Sequence, residues 1–210
     1  MHHTPRPHDL LWGMTPAELP ADAPEWVRHV LAAGQPVVVR RAMVAVDQLA
    51  IGVRGASRNQ RYASAMPRAG VQRCVPPEQL VEHLPVSTMP ALQALLALKP
   101  YLDELGLPWG VTGSVGYQLA TDIETVNADS DLDLLLRAPQ PLSRRRAEAL
   151  QQRLDKAACR VDMQLETPLG GVALREWAGS SARVLLKCAT GARLVDNPWD
   201  GAPDQPERAA

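Results

Sequence analysis

The chain predicts an α+β fold in two parts: a smaller N-terminal α/β unit over residues 1–80 and a larger unit over residues 81–210 that carries the chemistry. Three observations predict it. The run Leu132–Leu136 is leucine-rich and strand-like, with Asp131 and Asp133 at its start. CRVDMQLET, from Cys159, alternates apolar and polar with the period of two that marks a half-buried strand. PALQALLALKPYLDEL and LSRRRAEALQQRLDKAA instead carry leucine and alanine at helical spacing.

In chain order, DAPEWVRHVLAAGQP predicts a helix. It has Asp22 as N-cap, Pro24 and Glu25 in the first turn, Trp26, Val27, Val30 and Leu31 inward, and a Gly-x-Pro stop. PVVVRRA and DQLAIGVRG are β-rich runs, and the polar ASRNQRYASAM that follows reads as a loop. A short helix starts at Pro76 and runs through His83. The longer one from Pro90 buries Leu92, Leu95, Leu96, Tyr101, Leu102 and Leu105 and stops at Gly106 and Pro108. LPWGVT is the first strand of the second unit and leads into Gly113 and Ser114. Beyond the Asp-x-Asp strand comes a helix capped by Ser143, with Ala147, Leu150, Leu154 and Ala157 inward. Arg144, Arg145 and Arg146 fill its first turn, poorly placed for the helix dipole, which a solvated end tolerates and an acidic partner would use. Val161, Met163 and Leu165 then face the core of the next strand, while Arg160, Asp162, Gln164 and Glu166 face the other way. PLGG is a turn, ALREWA a short helix and RVLLKCATGARLV a pair of strands; Pro198, Gly201, Pro203 and Pro206 predict a tail.

Composition narrows the function. With 46% hydrophobic and 21% charged residues and a formal net charge of −1, the 210-residue chain has the balance of a globular protein. It lacks the basic excess of a dedicated nucleic-acid binder, so a small or acidic partner is expected. Cys74, Cys159 and Cys188 form no C-x-x-C pair and read as buried thiols of a reducing compartment. No run has the apolar length of a signal core or a membrane span, so a cytoplasmic protein is expected. His2, His3 and His8 read as exposed and idle.

The chemistry gathers between Gly113 and Arg137. Alternation puts Asp131, Asp133 and Leu135 on one face of their strand and Leu132, Leu134 and Leu136 on the other. Two carboxylates so close repel each other, and a divalent cation with a preference for oxygen, Mg²⁺, relieves this. Gly113 and Ser114 upstream supply a tight turn, free backbone amides and a hydroxyl, a set suited to phosphate. In the N-terminal unit, Arg54, Arg58 and Arg61 concentrate guanidinium forks that match phosphate oxygens. A basic strand edge that resists aggregation would draw on the same residue type.

Gly-Ser, a loop and Asp-x-Asp in a leucine-rich strand resemble the signature of the nucleotidyltransferase superfamily, which implies a polymerase-beta-like mixed sheet with helices. That resemblance sets the Asp162 strand beside the Asp131 strand and makes Asp162 a third carboxylate. Over nearly its full length the chain resembles a narrower family, the malonate decarboxylase holo-acyl-carrier-protein synthases, which are phosphoribosyl-dephospho-CoA transferases. The residues that carry this are PHDLLW, VVVRR, GVRG with RNQR, GSVGYQLAT, DSDLDLLLR, VDMQLET and GARLVDNPW.

The family implies transfer of the phosphoribosyl-dephospho-CoA group from 2'-(5''-triphosphoribosyl)-3'-dephospho-CoA to a serine of the apo acyl-carrier-protein subunit of malonate decarboxylase, with release of pyrophosphate. In that reaction Asp131 and Asp133 hold Mg²⁺, Asp162 completes the site or takes the serine proton, Gly113 and Ser114 grip the leaving group, and Arg54, Arg58 and Arg61 meet donor phosphates. Neither nucleic acid nor membrane takes part. Two other readings stay open: a nucleotidyltransferase that uses ATP or a similar donor, and a non-catalytic module that docks the carrier protein. A pure docking module has no need of paired acids.

Overall fold

A computed structural model describes residues 4–57 and 59–200. The fold is α+β, and among the described residues its strands form two sheets. The first is antiparallel and is built from β1 (Leu10–Trp12), β2 (Val37–Val39), β3 (Gln48–Arg54), β4 (Arg61–Pro67) and β5 (Arg73–Val75), in the order β4-β3-β2-β1-β5. One face carries Leu11, Val37, Ile51 and Met66 and buries them against Val27 and Leu31 of helix α1 (Glu25–Ala32). Register places Leu10, Val38, Gly52 and Ala63 side by side on the other face, with Arg54 and Arg61 paired at its end. That second face turns toward the rest of the molecule.

Helix α1 begins later than expected. Pro24, not Asp22, precedes its first residue, and no side chain caps it. The segment read as a loop is a strand: β4 pairs with β3 from Gln48↔Pro67 to Arg54↔Arg61. Its alternation was hidden because small residues, Ala63, Ser64 and Ala65, fill positions where large apolar ones would have shown the period. A full-length partner strand outweighed composition.

The second sheet consists of β6 (Trp109–Val111), β7 (Leu132–Arg137), β8 (Val161–Thr167), β9 (Gly170–Ala173), β10 (Val184–Cys188) and β11 (Gly191–Val195), in the order β11-β10-β9-β8-β7-β6. Helices α2 (Pro90–Asp103), α3 (Gly113–Thr121), α4 (Arg144–Leu154) and α5 (Leu174–Ala178) accompany it. Among the described residues only β7 and β8 run parallel; α4 lies between them in sequence, as a parallel connection requires. Leu132, Leu134 and Leu136 line up with Val161, Met163 and Leu165 in the main core, shared with Leu95 and Leu102 of α2 and Leu150 and Leu154 of α4. The opposite face aligns Asp133 with Asp162, Leu135 with Gln164 and Arg137 with Glu166. It faces the first sheet.

Several expectations are corrected. Ser114 opens no loop, because the chain enters α3 at Gly113. Pro77–Val81 is a 3-10 turn, shorter than the helix expected from Pro76 to His83. Gly170 and Gly171 form a strand, β9, with the turn just before it. Leu96 is 38% exposed, outside the core. Cys74, Cys159 and Cys188 are free thiols but only half-buried. Arg144 is held within the fold: its guanidinium lies 4.1 Å from the Trp177 ring centroid and donates to the carbonyls of Trp177 and Gly179, closing the C-terminus of α5. The expected tail is packed through Trp199, which is buried edge-on to Trp177 and donates from Nε1 to the Ala138 carbonyl at 2.8 Å. Gly201, Pro203, Pro206, His2 and His3 lie outside the described residues. Among the described residues no helix is long and apolar enough to cross a membrane.

Candidate active site

Where the inner faces of the two sheets meet they leave a cavity of about 550 Å³. The first sheet contributes Leu10, Val38, Arg40, Gly52, Arg54 and Arg61; the second unit contributes Leu80, Val111, Thr112, Gly113, Tyr117 and Asp133. A smaller cavity of about 250 Å³ adjoins it, with Ser114, Thr125, Asn127, Ser130 and Asp131 in its wall. Arg54, Arg61, Gly113 and Asp133 line both.

Local geometry explains how these groups converge. Strand β6 ends at Val111, and the Thr112 amide donates to the Asp133 carbonyl at 2.9 Å, tying the start of α3 to β7. Gly113 then turns with φ +63°. A Cβ there would overlap the Asp133 carboxylate, so only glycine lets that acid lie against the backbone at the helix start. The opening turn of α3 points unpaired amides and its positive dipole end into this corner. After α3 the chain folds back on it. The Gln118 Oε1 accepts from the amides of Thr125 and Val126, both at 2.9 Å, and the Thr125 hydroxyl donates to the Ser114 carbonyl at 2.8 Å. Asn127 and Ser130 close a small turn that delivers Asp131 to the cavity wall.

Opposite the two acids stand the two arginines. Arg54 and Arg61 are cross-strand partners at the end of β3 and β4. Arg54 reaches over the Tyr117 ring, 5.5 Å to its centroid, and its Nε is buried without a hydrogen-bond partner. Burial, and then the charge of Arg61, push its pKa below the usual guanidinium value, against the pull of Tyr117 and Asp133. A half-buried guanidinium that lines both cavities suits an anion. Burial also drives the Tyr117 hydroxyl up to about 12, against Arg54, so the ring is a neutral wall held by its donation to the Gln35 side-chain oxygen at 2.9 Å. The donor set around Asp131 and Asp133 is all oxygen: two carboxylates, the hydroxyls of Ser114, Thr125 and Ser130, and the Asn127 side chain. This chemistry fits a hard divalent cation such as Mg²⁺ beside a phosphate.

The structure therefore brings together Asp131, Asp133, Gly113, Ser114, Arg54 and Arg61. Asp162 sits level with Asp133 on the next strand, but its carboxylate is paired with Arg160 at 3.0 Å, half-exposed, and lines neither cavity. Among the described residues no group of three His, Cys, Asp or Glu side chains is set to hold a metal ion. Arg58 lies outside the described residues.

His8 corrects the sequence reading most sharply. Expected to be exposed and idle, it lines the large cavity, with its Nε2 2.9 Å from the Gln164 amide and 3.2 Å from an Arg41 nitrogen. Burial first, then the charges of Arg41, Arg137 and Lys187, push its pKa down to about 3. The same seam holds ion pairs between Arg41 and Glu166, Arg137 and Glu78 at 2.8 Å, and Arg137 and the fully buried Asp9 at 3.6 Å. These polar groups lock the first sheet to the second. A His-Asp pair directly before the apolar LLW was the available clue that PHDLLW enters the fold.

Both halves of the chain match known sequence families. Residues 6–77 match the family model described as phosphoribosyl-dephospho-CoA transferase MdcG N-terminal domain, and residues 79–198 match the one described as the C-terminal domain of the same transferase. A phosphoribosyl-dephospho-CoA transferase of Pseudomonas putida (strain W619) is 58% identical over 93% of this chain and 96% of its own length. One of Azotobacter vinelandii is 56% identical over 95% and 98%, and one of Pseudomonas aeruginosa 50% identical over 93% and 94%. No solved structure matches.

Proposed function

This chain belongs to the phosphoribosyl-dephospho-CoA transferase family and is a transferase, and we propose that it moves that group from 2'-(5''-triphosphoribosyl)-3'-dephospho-CoA to a serine of the apo acyl-carrier protein of malonate decarboxylase, in the cytoplasm. The observation that carries the reading is the confrontation of Asp131 and Asp133 with Arg54 and Arg61 across one cavity, at the start of α3. Phosphoryl-type transfer is mostly positioning and charge neutralisation, which such an arrangement supplies. The serine oxygen forms a bond to the phosphorus next to the ribosyl 5'' oxygen. The bond from that phosphorus to the bridging oxygen of the pyrophosphate breaks, and the hydroxyl proton leaves to a base.

Within this reading Arg54, Arg58 and Arg61 neutralise the triphosphate. Ser114 and the first amides of α3 hold the departing pyrophosphate. Asp131 and Asp133 are the residues to hold Mg²⁺, which when bound offsets charge on the phosphate oxygens. Asp162 serves as third ligand or as base for the serine proton; either role requires its carboxylate to exchange Arg160 for the site, one strand away. The parallel β7–β8 pair with α3 before it supports assignment to the polymerase-beta-like nucleotidyltransferase fold.

The test is intact-mass measurement of apo carrier protein after incubation with this chain, donor and Mg²⁺. A mass gain equal to the phosphoribosyl-dephospho-CoA group is expected. Gain only when ATP replaces the donor would favour the ATP-dependent alternative, and carrier binding with no gain would favour a docking module.

A further inference from the structure

We propose that the larger cavity is the subsite for the donor's adenosine and that His8 reads the amino edge of its purine, an inference that rests on the donor named above. In that donor the triphosphate hangs on a ribose joined to the ribose of adenosine, so two sugars separate the phosphates from the purine. The structure has the same sequence of environments. The small cavity holds the carboxylates and hydroxyls, the arginines and Gly113 stand at the junction, and the large cavity continues beyond them. Its walls are Leu10, Val38, Leu80 and Val111 with Tyr117, apolar surfaces suited to the faces of a planar ring.

Such a pocket needs a few polar groups to fix orientation, and His8 is placed to be one. The Gln164 amide satisfies its neighbours when its Oε1 faces Arg41 and His8; His8 Nε2–H then donates to that oxygen at 2.9 Å. The burial and positive charge around the ring keep it neutral. Nδ1 is left as a bare acceptor without a protein partner among the described residues. An acceptor matches the exocyclic amino group of adenine and opposes the carbonyl that hypoxanthine carries in its place. The backbone is specialised too: His8 has φ +76°, and its amide donates to the Val39 carbonyl at 3.0 Å, which sets the ring beside β2.

The experiment compares binding of dephospho-CoA and of its deaminated, hypoxanthine-bearing analogue by calorimetry, with inorganic tripolyphosphate as a probe of the charged end alone. The parent should prefer dephospho-CoA by roughly tenfold or more, the scale of a lost buried hydrogen bond plus an unpaired acceptor. His8→Gly, which removes the ring and tolerates the left-handed backbone, should bind the two alike and bind tripolyphosphate as the parent does. His8→Asn keeps an acceptor at a conformation asparagine accepts and should retain an intermediate preference. Equal affinities in the parent, or an undiminished preference in His8→Gly, would overturn the proposal. A parent that fails to load the carrier protein would sink the donor reading instead, and the purine preference is measured without it.

Discussion

Replacing Gly113 with alanine should abolish transfer at a modest cost in stability, and the structure gives both magnitudes. At φ +63° an alanine pays the left-handed penalty of about 1–2 kcal/mol, which at this chain length lowers Tm by about 2–8 °C. The added Cβ would overlap the Asp133 carboxylate, which can swing away, and come within 2.9 Å of the Asp133 Cβ, which needs a small backbone shift, so the fold survives and the acid leaves its place. Misplacing a group by an ångström at a reacting centre costs roughly 100-fold in rate. Gly34→Ala is the control: it has φ +68° but nothing within 4 Å of the added Cβ, so it carries the strain without the collision. Thermal unfolding and the initial rate of carrier mass gain should be measured on both. Similar Tm losses with activity lost only in Gly113→Ala are expected. Parental rates in Gly113→Ala, or equal rate losses in both variants, would refute the role given to the Gly113–Asp133 contact.

Asp131→Asn and Asp133→Asn should each eliminate transfer and leave the chain at least as stable, since like-charge repulsion is relieved; rate and unfolding midpoint measured together check this. Arg54→Ala should weaken donor binding by about 1–3 kcal/mol, read by calorimetry, because its half-buried side chain lines both cavities. Asp162→Asn should slow transfer strongly yet spare donor binding if its carboxylate exchanges Arg160 for the site; a parental rate would leave it as a surface partner of Arg160. His8 sets a pH dependence. The unfolded chain takes up its proton near 6.5 and the folded chain only near 3, so His8 makes stability fall as pH drops through that window and adds no slope above it. Urea midpoints at pH 7.5 and 4.5 should lie closer together in His8→Asn than in the parent.

Features that depend on local spacing were legible before any fold was known. Leu132, Leu134 and Leu136 against Asp131 and Asp133 declared a buried strand with an acidic end, the Ser143 cap marked the start of α4, and Val161, Met163 and Leu165 showed the core side of β8. Those signals survive because period and capping act within a few residues. The pairing of Gly113 and Ser114 with the acids was legible too, as a motif, though its physical cause was not: that Gly113 must be glycine to admit Asp133 follows only from the approach of the start of α3 to β7. Tertiary structure decided the rest. β4 exists because β3 offers its full edge, whatever the small polar residues suggest. Asp162 is level with Asp133 by parallel register, which only tertiary structure sets, while its pairing with Arg160 follows from their shared strand face. His8 looked like a stray residue near the chain start, and burial between two sheets made it a neutral member of the cavity wall. His8 against Gln164 and Asp133 beside Asp162 join segments far apart in the chain, so their energies leave no mark on neighbouring residues.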